Sequence, residues 1–308
     1  MILISEDVWG APFEQLSKRR AVHQDPELWS DSAKLKAEVA QAEVLVVRNR
    51  TQVTAEIIAA APKLKVIARA GVGLDNIDIK SADQAGVVVV AGLGANAVSV
   101  AELTLGLALA LRRQIALQDR QTKSGKWLRA PGNEISGSTW GLLGCGATGR
   151  ATAKLLSGFG CKILGYDPFF KGNSEIQMVE WDQLISQSDV ISVHMPATSE
   201  TIGSINKSVF AAMKDSAILV NVGRGELINE NDLISALKDG QIAGAALDVR
   251  ALEPPTTGEL EKLDNVILTP HVAGITKESQ SAINQILVDN IDLVLDGKAA
   301  THAVGANK

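Results

Sequence analysis

Thr139-Trp140-Gly141-Leu142-Leu143-Gly144-Cys145-Gly146-Ala147-Thr148-Gly149-Arg150 is the stretch that decides the fold. Residues 139–143 read as a buried strand, Gly144 to Gly149 spell G-x-G-x-x-G, and residues 150–157 continue with helical spacing. In that order each glycine has its own task. Gly144 permits a tight turn, Gly146 lets the backbone approach a pyrophosphate, and Gly149 allows the helix to pack closely on the strand. The anion sits at the helix N-terminus beside Ala147 and Thr148. A glycine-rich turn without a ligand would use the same residues. However, the next strand, 162–166, ends at Asp167 in Gly165-Tyr166-Asp167-Pro168, where a carboxylate can accept both ribose hydroxyls. Together they predict a dinucleotide site. Asp167 repels a 2′-phosphate and no arginine follows it directly, which favours NAD over NADP.

Outward from this point, runs rich in Val, Ile and Leu recur. Residues 2–5, 43–47, 65–68 and 87–90 form one set, and 139–143, 162–166, 190–194, 218–222, 243–249 and 266–269 form a second. They are apolar on both faces, as strands of a parallel sheet covered by helices must be. The reading is α/β, with two doubly wound parallel-sheet domains. Between the sets, Ser99-Val100-Ala101-Glu102 has the form of a capping box opening one long helix over 99–118. The last helical pattern, 278–295, follows the completed second set and is expected to return to the first domain. The boundaries drawn are a discontinuous domain of 1–98 and 284–308, with 99–283 inserted.

At 308 residues, two domains are the natural expectation. The net charge of -5 supplies no basic stripe for nucleic acid, and Lys18-Arg19-Arg20 reads as a solvated helix face. Two cysteines, Cys145 and Cys161, make neither a disulfide framework nor a zinc site, so no metal is expected. The N-terminus lacks the basic segment of a signal peptide and no apolar run reaches membrane-spanning length. Both point to the cytosol and away from membranes. His23 and His302 read as surface residues.

Three polar groups follow strands of the second set: Arg224 in Asn221-Val222-Gly223-Arg224-Gly225, Glu253 in Asp248-Val249-Arg250-Ala251-Leu252-Glu253-Pro254-Pro255, and His271 in Thr269-Pro270-His271-Val272-Ala273-Gly274. Hydride transfer to a keto acid needs a cation to hold the carboxylate and polarise the carbonyl, and an acid/base for the hydroxyl proton. Arg224 and His271 are the right types, and a carboxylate at Glu253 would orient the ring. Taken singly, each has an ordinary structural reading.

With the mid-chain fingerprint, these segments resemble the D-isomer-specific 2-hydroxyacid dehydrogenase family over nearly the whole chain. The resemblance implies a Rossmann NAD-binding domain inserted into a flavodoxin-like substrate domain, with Arg224, Glu253 and His271 as the catalytic set. It further implies that Asp248 contacts the nicotinamide amide, that His194, Pro196, Thr201, Val222, Gly223, His271 and Gly274 lie along the cofactor, and that the protein is a homodimer. Glu253 separates the chain from formate dehydrogenases, which carry glutamine there.

In the first domain, Ala68-Arg69-Ala70-Gly71-Val72-Gly73-Leu74-Asp75 offers successive backbone N–H groups after a strand, suited to a carboxylate. This stretch, with Val47-Arg48-Asn49-Arg50 and Gly94-Ala95-Asn96-Ala97, is similar to the phosphoglycerate dehydrogenase branch. The resemblance puts Arg48 and Arg69 near a substrate phosphate and Ala70, Gly71, Val72 and Gly73 at the carboxylate. Two departures stand out: a shorter segment at 125–134, and Arg250-Ala251-Leu252 in place of an acidic run before Glu253. No C-terminal regulatory domain is expected. Sulfolactate or glycerate/hydroxypyruvate also fit as substrates, and the family includes NADH-sensing corepressors as a non-enzymatic alternative.

Overall fold

A computed structural model describes residues 1–8 and 10–307. The chain divides into two compact units, Met1–Asn96 with Ile275–Lys308, and Ala97–Gly274. The strands in chain order are β1 Ile2–Ile4, β2 Val22–Gln24, β3 Val44–Val47, β4 Val66–Arg69 and β5 Val88–Ala91. Then come β6 Thr139–Leu143, β7 Lys162–Tyr166, β8 Gln177–Met178, β9 Val190–Val193, β10 Ile218–Asn221, β11 Gly244–Leu247 and β12 Val266–Leu268, and last β13 Ala303–Val304.

The first unit holds a six-stranded sheet in the order β13-β5-β4-β3-β1-β2, parallel except for antiparallel β13. Setting β13 aside, this is the flavodoxin-like 2-1-3-4-5 order. Alternate residues face opposite sides. Leu3, Leu45, Val47, Ile67 and Val89 line one core, and Ile2, Ile4, Val44, Val46 and Val66 line the other. The returning helix Lys277–Leu295 covers the second face with Ile283, Leu287 and Ile291, each wholly buried. Such burial is worth about 1.5–3 kcal/mol per side chain, which explains why the chain comes back. The second unit holds a seven-stranded parallel sheet in the order β12-β11-β10-β9-β6-β7-β8. Its order reverses beside β6, so the loops leaving β6 and β9 flank the switch point where ligands bind in open α/β sheets.

Four details correct the sequence reading. The return comes at Ile275 rather than 284, because a capping box of Thr276 and Ser279 starts the helix at Lys277. The helix after β5 begins at Ala97, so Ser99 lies buried inside its first turn instead of capping it. That helix ends at Arg112, and Gln114, at φ 53°, turns the chain into a second helix, Ile115–Lys123. The Lys18-Arg19-Arg20 triplet follows the helix Ala11–Ser17, and Arg19 and Arg20 pair with Asp292 and Asp296 on the returning helix rather than facing only water.

Candidate active site

The second-unit residues expected from the sequence to serve the cofactor or the chemistry follow strands of one parallel sheet at its carboxyl edge. The glycine loop follows β6, Asp167 follows β7, His194 β9, Arg224 β10, Asp248 and Glu253 β11, and His271 β12.

Gly144 adopts φ 96°, and a Cβ there would lie 2.9 Å from the carbonyl carbon of His194. A Cβ on Gly149 would lie 2.2 Å from the Gly144 oxygen, so helix and strand meet backbone to backbone. Gly146 faces open space, and among the described residues no side chain caps the helix Ala147–Leu156 that it opens. These are the features a dinucleotide pyrophosphate needs, and the loop fits that group. Asp167 is more committed than its position suggests. Its Oδ2 accepts the Cys145 N–H at 2.8 Å, and Oδ1 accepts from Phe169 and Phe170. Of the four or so acceptor sites on a carboxylate, one thus remains for a ribose hydroxyl without rearrangement. Cys145 is buried, and burial pushes its thiol up to about 12, so it is a filler without nucleophilic character.

His194 Nε2 lies 3.0 Å from Ser192 Oγ, which also accepts from Trp140 Nε1 at 2.8 Å. Its Nδ1 is buried without a hydrogen-bond partner among the described residues, and burial lowers the imidazole to about 3, so the ring is neutral. A shielded, unsatisfied nitrogen beside the glycine loop is a group waiting for a ligand contact. Pro196 and Thr201 belong to one tight loop, closed by Thr201 Oγ1 donating to the Pro196 carbonyl at 2.8 Å.

His271 and Glu253 are in direct contact, with Nδ1 2.7 Å from Oε2. The ring is 51% exposed and the carboxylate 37%, and with Nδ1 engaged by Glu253 it is Nε2 that is left for another partner. His271 itself takes φ 54°, a left-handed conformation for a non-glycine residue. Asp248, 1% exposed, sustains it. Its carboxylate accepts from Thr269 Oγ1 and from the N–H groups of Val272 and Ala273, and its carbonyl accepts the His271 N–H at 2.7 Å. Asp248 is therefore first an anchor of the histidine loop.

Arg224 is half-buried and donates from Nη1 to the Gly223 carbonyl at 2.8 Å. Its turn hangs on Asn221, which is fully buried, accepts from Gly223 and donates to the Arg224 carbonyl. Val222 directly follows β10 and Gly274 ends the second unit.

In the first unit, Arg48 and Arg69 follow β3 and end β4, neighbouring strands. Arg48 Nη1 donates to the Asp7 carbonyl at 3.1 Å, and the Arg69 guanidinium lies over Gly71, where a Cβ would collide with it. Two N–H groups of Ala70-Gly71-Val72-Gly73 are already engaged: Ala70 donates to Val47 and Gly71 to Arg69.

Sequence reasoning misses the supports of these residues. Buried Glu6 accepts from the N–H groups of Arg48, Arg50 and Thr51, and Asn76 donates to the carbonyls of Arg48 and Thr51. Arg250 reads from the sequence only as a departure from a pattern, yet it pairs with Glu230 and Glu261. An acid two residues past the β1 strand and another opening the helix Glu230–Lys238 are the marks they leave in the sequence. Among the described residues no group of His, Cys, Asp and Glu could hold a metal, and no helix is long and apolar enough to cross a membrane.

Residues 105–273 match the model of the D-isomer specific 2-hydroxyacid dehydrogenase NAD binding domain. D-3-phosphoglycerate dehydrogenase of Archaeoglobus fulgidus is 45% identical over 274 residues, covering 87% of this chain and 52% of that protein. Hydroxypyruvate reductase of Thermotoga maritima is 44% identical over 259 residues, 82% of this chain and 85% of that one. The crystal structure of a Thermus thermophilus protein superposes with a TM-score of 0.91 at 31% identity, over 98% of this chain and 99% of that one. The chain spans about half the length of the phosphoglycerate dehydrogenases it matches.

Proposed function

The chain belongs to the family of D-isomer-specific 2-hydroxyacid dehydrogenases, and from that premise we propose that it interconverts a small D-2-hydroxy acid and its 2-keto acid using NAD. The second unit is the family's NAD-binding domain. When bound, NAD exchanges a hydride with C2 of the substrate. The observation that carries the reading is the His271–Glu253 contact of 2.7 Å on the same sheet edge as the glycine loop.

In reduction, the His271 imidazolium donates its Nε2 proton to the forming alkoxide, and in oxidation the neutral ring accepts it. Glu253 at Nδ1 orients the ring and leaves Nε2 to face the substrate. Arg224 pairs with the substrate carboxylate and polarises the carbonyl. Gly144, Gly146, Ala147, Thr148 and Gly149 hold the pyrophosphate, and Asp167 disfavours a 2′-phosphate. His194, Pro196, Thr201, Val222, Gly223, Asp248 and Gly274 line the rest of the cofactor.

For the substrate, the engaged N–H groups of Ala70 and Gly71 leave Val72 and Gly73 as the proposed carboxylate donors, with Arg48 and Arg69 for a second anionic group. A 3-phosphoglycerate-like acid is the leading choice, supported by the relative from Archaeoglobus fulgidus. The relative from Thermotoga maritima supports hydroxypyruvate or glyoxylate, and sulfolactate satisfies the same two-anion requirement. The test is NADH consumption with phosphohydroxypyruvate, hydroxypyruvate, glyoxylate and sulfopyruvate. A preference of about tenfold or more in kcat/KM for the two acids that carry a second anionic group, phosphohydroxypyruvate and sulfopyruvate, assigns Arg48 and Arg69 to the distal anion, and equal or reversed ranking removes them. Tight NADH binding without turnover of any keto acid would favour an NADH-sensing regulator. We further propose a cytoplasmic homodimer, to be checked by light scattering on the eluted protein.

A further inference from the structure

The Arg250 side chain is only 11% exposed and stands between two carboxylates from different elements. Nε and Nη2 donate to the two oxygens of Glu230, at 2.8 and 2.9 Å, and Nη1 donates to Glu261 at 2.9 Å. Glu230 is the first residue of the helix Glu230–Lys238, and Glu261 lies in the short helix Leu260–Lys262. The guanidinium holds Glu230 below the usual carboxylate range, and Glu261 likewise, so the clamp is charged at neutral pH.

Three further contacts tie this clamp to the reacting residues. Glu230 Oε1 also accepts the Ala251 N–H, so the same carboxylate grips both backbone and side chain of the 250–251 stretch. The Arg250 N–H donates to Glu253 Oε1 at 3.0 Å, the oxygen not used by His271. On the other side, a Cβ on Gly225 would sit 1.9 Å from the Arg250 carbonyl carbon, so the Arg224–Gly225 turn presses on the same backbone. One stretch of chain thus touches the turn of Arg224 and the carboxylate that orients His271.

We propose that Arg250 is a positioning residue: clamped by Glu230 and Glu261, it fixes the backbone from which Glu253 is aimed at His271 and against which the Arg224 turn rests. The proposal rests on the catalytic roles given above to His271, Glu253 and Arg224. A misplacement of about 1 Å can cost ~100-fold in rate, so a loosened clamp acts on chemistry before it acts on cofactor binding.

Arg250→Met keeps much of the stem and removes the fork, and Arg250→Lys restores the charge without the bidentate geometry. In Arg250→Met, kcat for the best keto acid is expected to fall about tenfold or more with the NADH Kd changed less than about twofold, and Arg250→Lys to recover part of it. Independently of turnover, the His271 Nδ1–H held by Glu253 gives a downfield proton resonance, assigned by its loss in His271→Ala. It is expected to broaden or vanish in Arg250→Met. A folded Arg250→Met with wild-type kcat and resonance overturns the proposal, and so does lost kcat with an unchanged resonance. If circular dichroism shows Arg250→Met unfolded, Glu261→Gln, which leaves the Glu230 fork, is judged by the same two readouts. If the wild-type chain reduces no keto acid, the proposed function fails and the resonance alone decides the role of Arg250.

Discussion

His271 and Glu253 meet at 2.7 Å because two loops leaving adjacent strands are each fixed from below, one by Asp248 and one by the Arg250 backbone. Glu253→Gln keeps a hydrogen-bond partner for the ring and removes the carboxylate that accepts at Nδ1. Steady-state assays are expected to show kcat down about 10–100-fold with little change in NADH Kd. Gly149→Ala would put a methyl group 2.2 Å from the Gly144 oxygen, and the backbone shift it forces should weaken NADH binding in a fluorescence titration. Undisturbed affinity would show that this close approach is not needed. His194 links a residue to the pH dependence of stability. Its folded value is lowered to about 3 from 6.5, so between these pH values the unfolded chain binds the extra proton. Stability therefore rises with pH across that window and is lost as pH falls below about 6.5, at up to ~1.4 kcal/mol per pH unit. Urea titrations of His194→Gln should show a flatter acid slope.

At the scale of elements, the returning helix Lys277–Leu295 shows what local signals decide. Thr276 and Ser279 satisfy each other's backbone N–H groups, and Thr276→Ala should cost about 1 kcal/mol in urea unfolding. No loss would mean that Ile283, Leu287 and Ile291 set the helix start without its cap. The strands that carry the site were legible because burial on both faces leaves a mostly apolar run, as in 140–143 and 218–220. The strands Val22–Gln24, Gln177–Met178 and Ala303–Val304 were not, since each is a short, partly exposed edge with no apolar pattern. Ser99 misled for a related reason. Its capping pattern is real in sequence, but the apolar run from Ala97 lets the helix start earlier and bury it. The residues proposed for catalysis could be picked out by their types and their places after strands, where the structure also puts them. Their supports were harder to read, because Glu6 meets the Arg48 N–H and Arg250 meets Glu230 only through pairings between distant parts of the chain, while Asn221 is an ordinary polar residue ending a strand until its turn is seen.

For the molecule as a whole, the two units make different demands. Only the second matches the NAD-binding family model, so saturating NADH should slow amide exchange most in peptides covering 139–150 and 162–170. At 100 times Kd the linkage is worth about 2.7 kcal/mol, well within what exchange measurements resolve. Protection confined to the first unit would contradict the assignment of the glycine loop. The first unit carries the residues proposed to choose among anionic acids, Arg48 after β3 and Arg69 at the end of β4, and its sheet differs from the second at its edges, where β2 stands alone beside β1 and β13 is antiparallel. The central claim, that His271 oriented by Glu253 moves the proton in an NADH-dependent reduction, is tested most directly by His271→Ala. The measurement is kcat with the best keto acid set beside NADH affinity. The account predicts a loss of about 10²–10⁴-fold in kcat with affinity within about twofold of wild type, whereas undiminished turnover would contradict it.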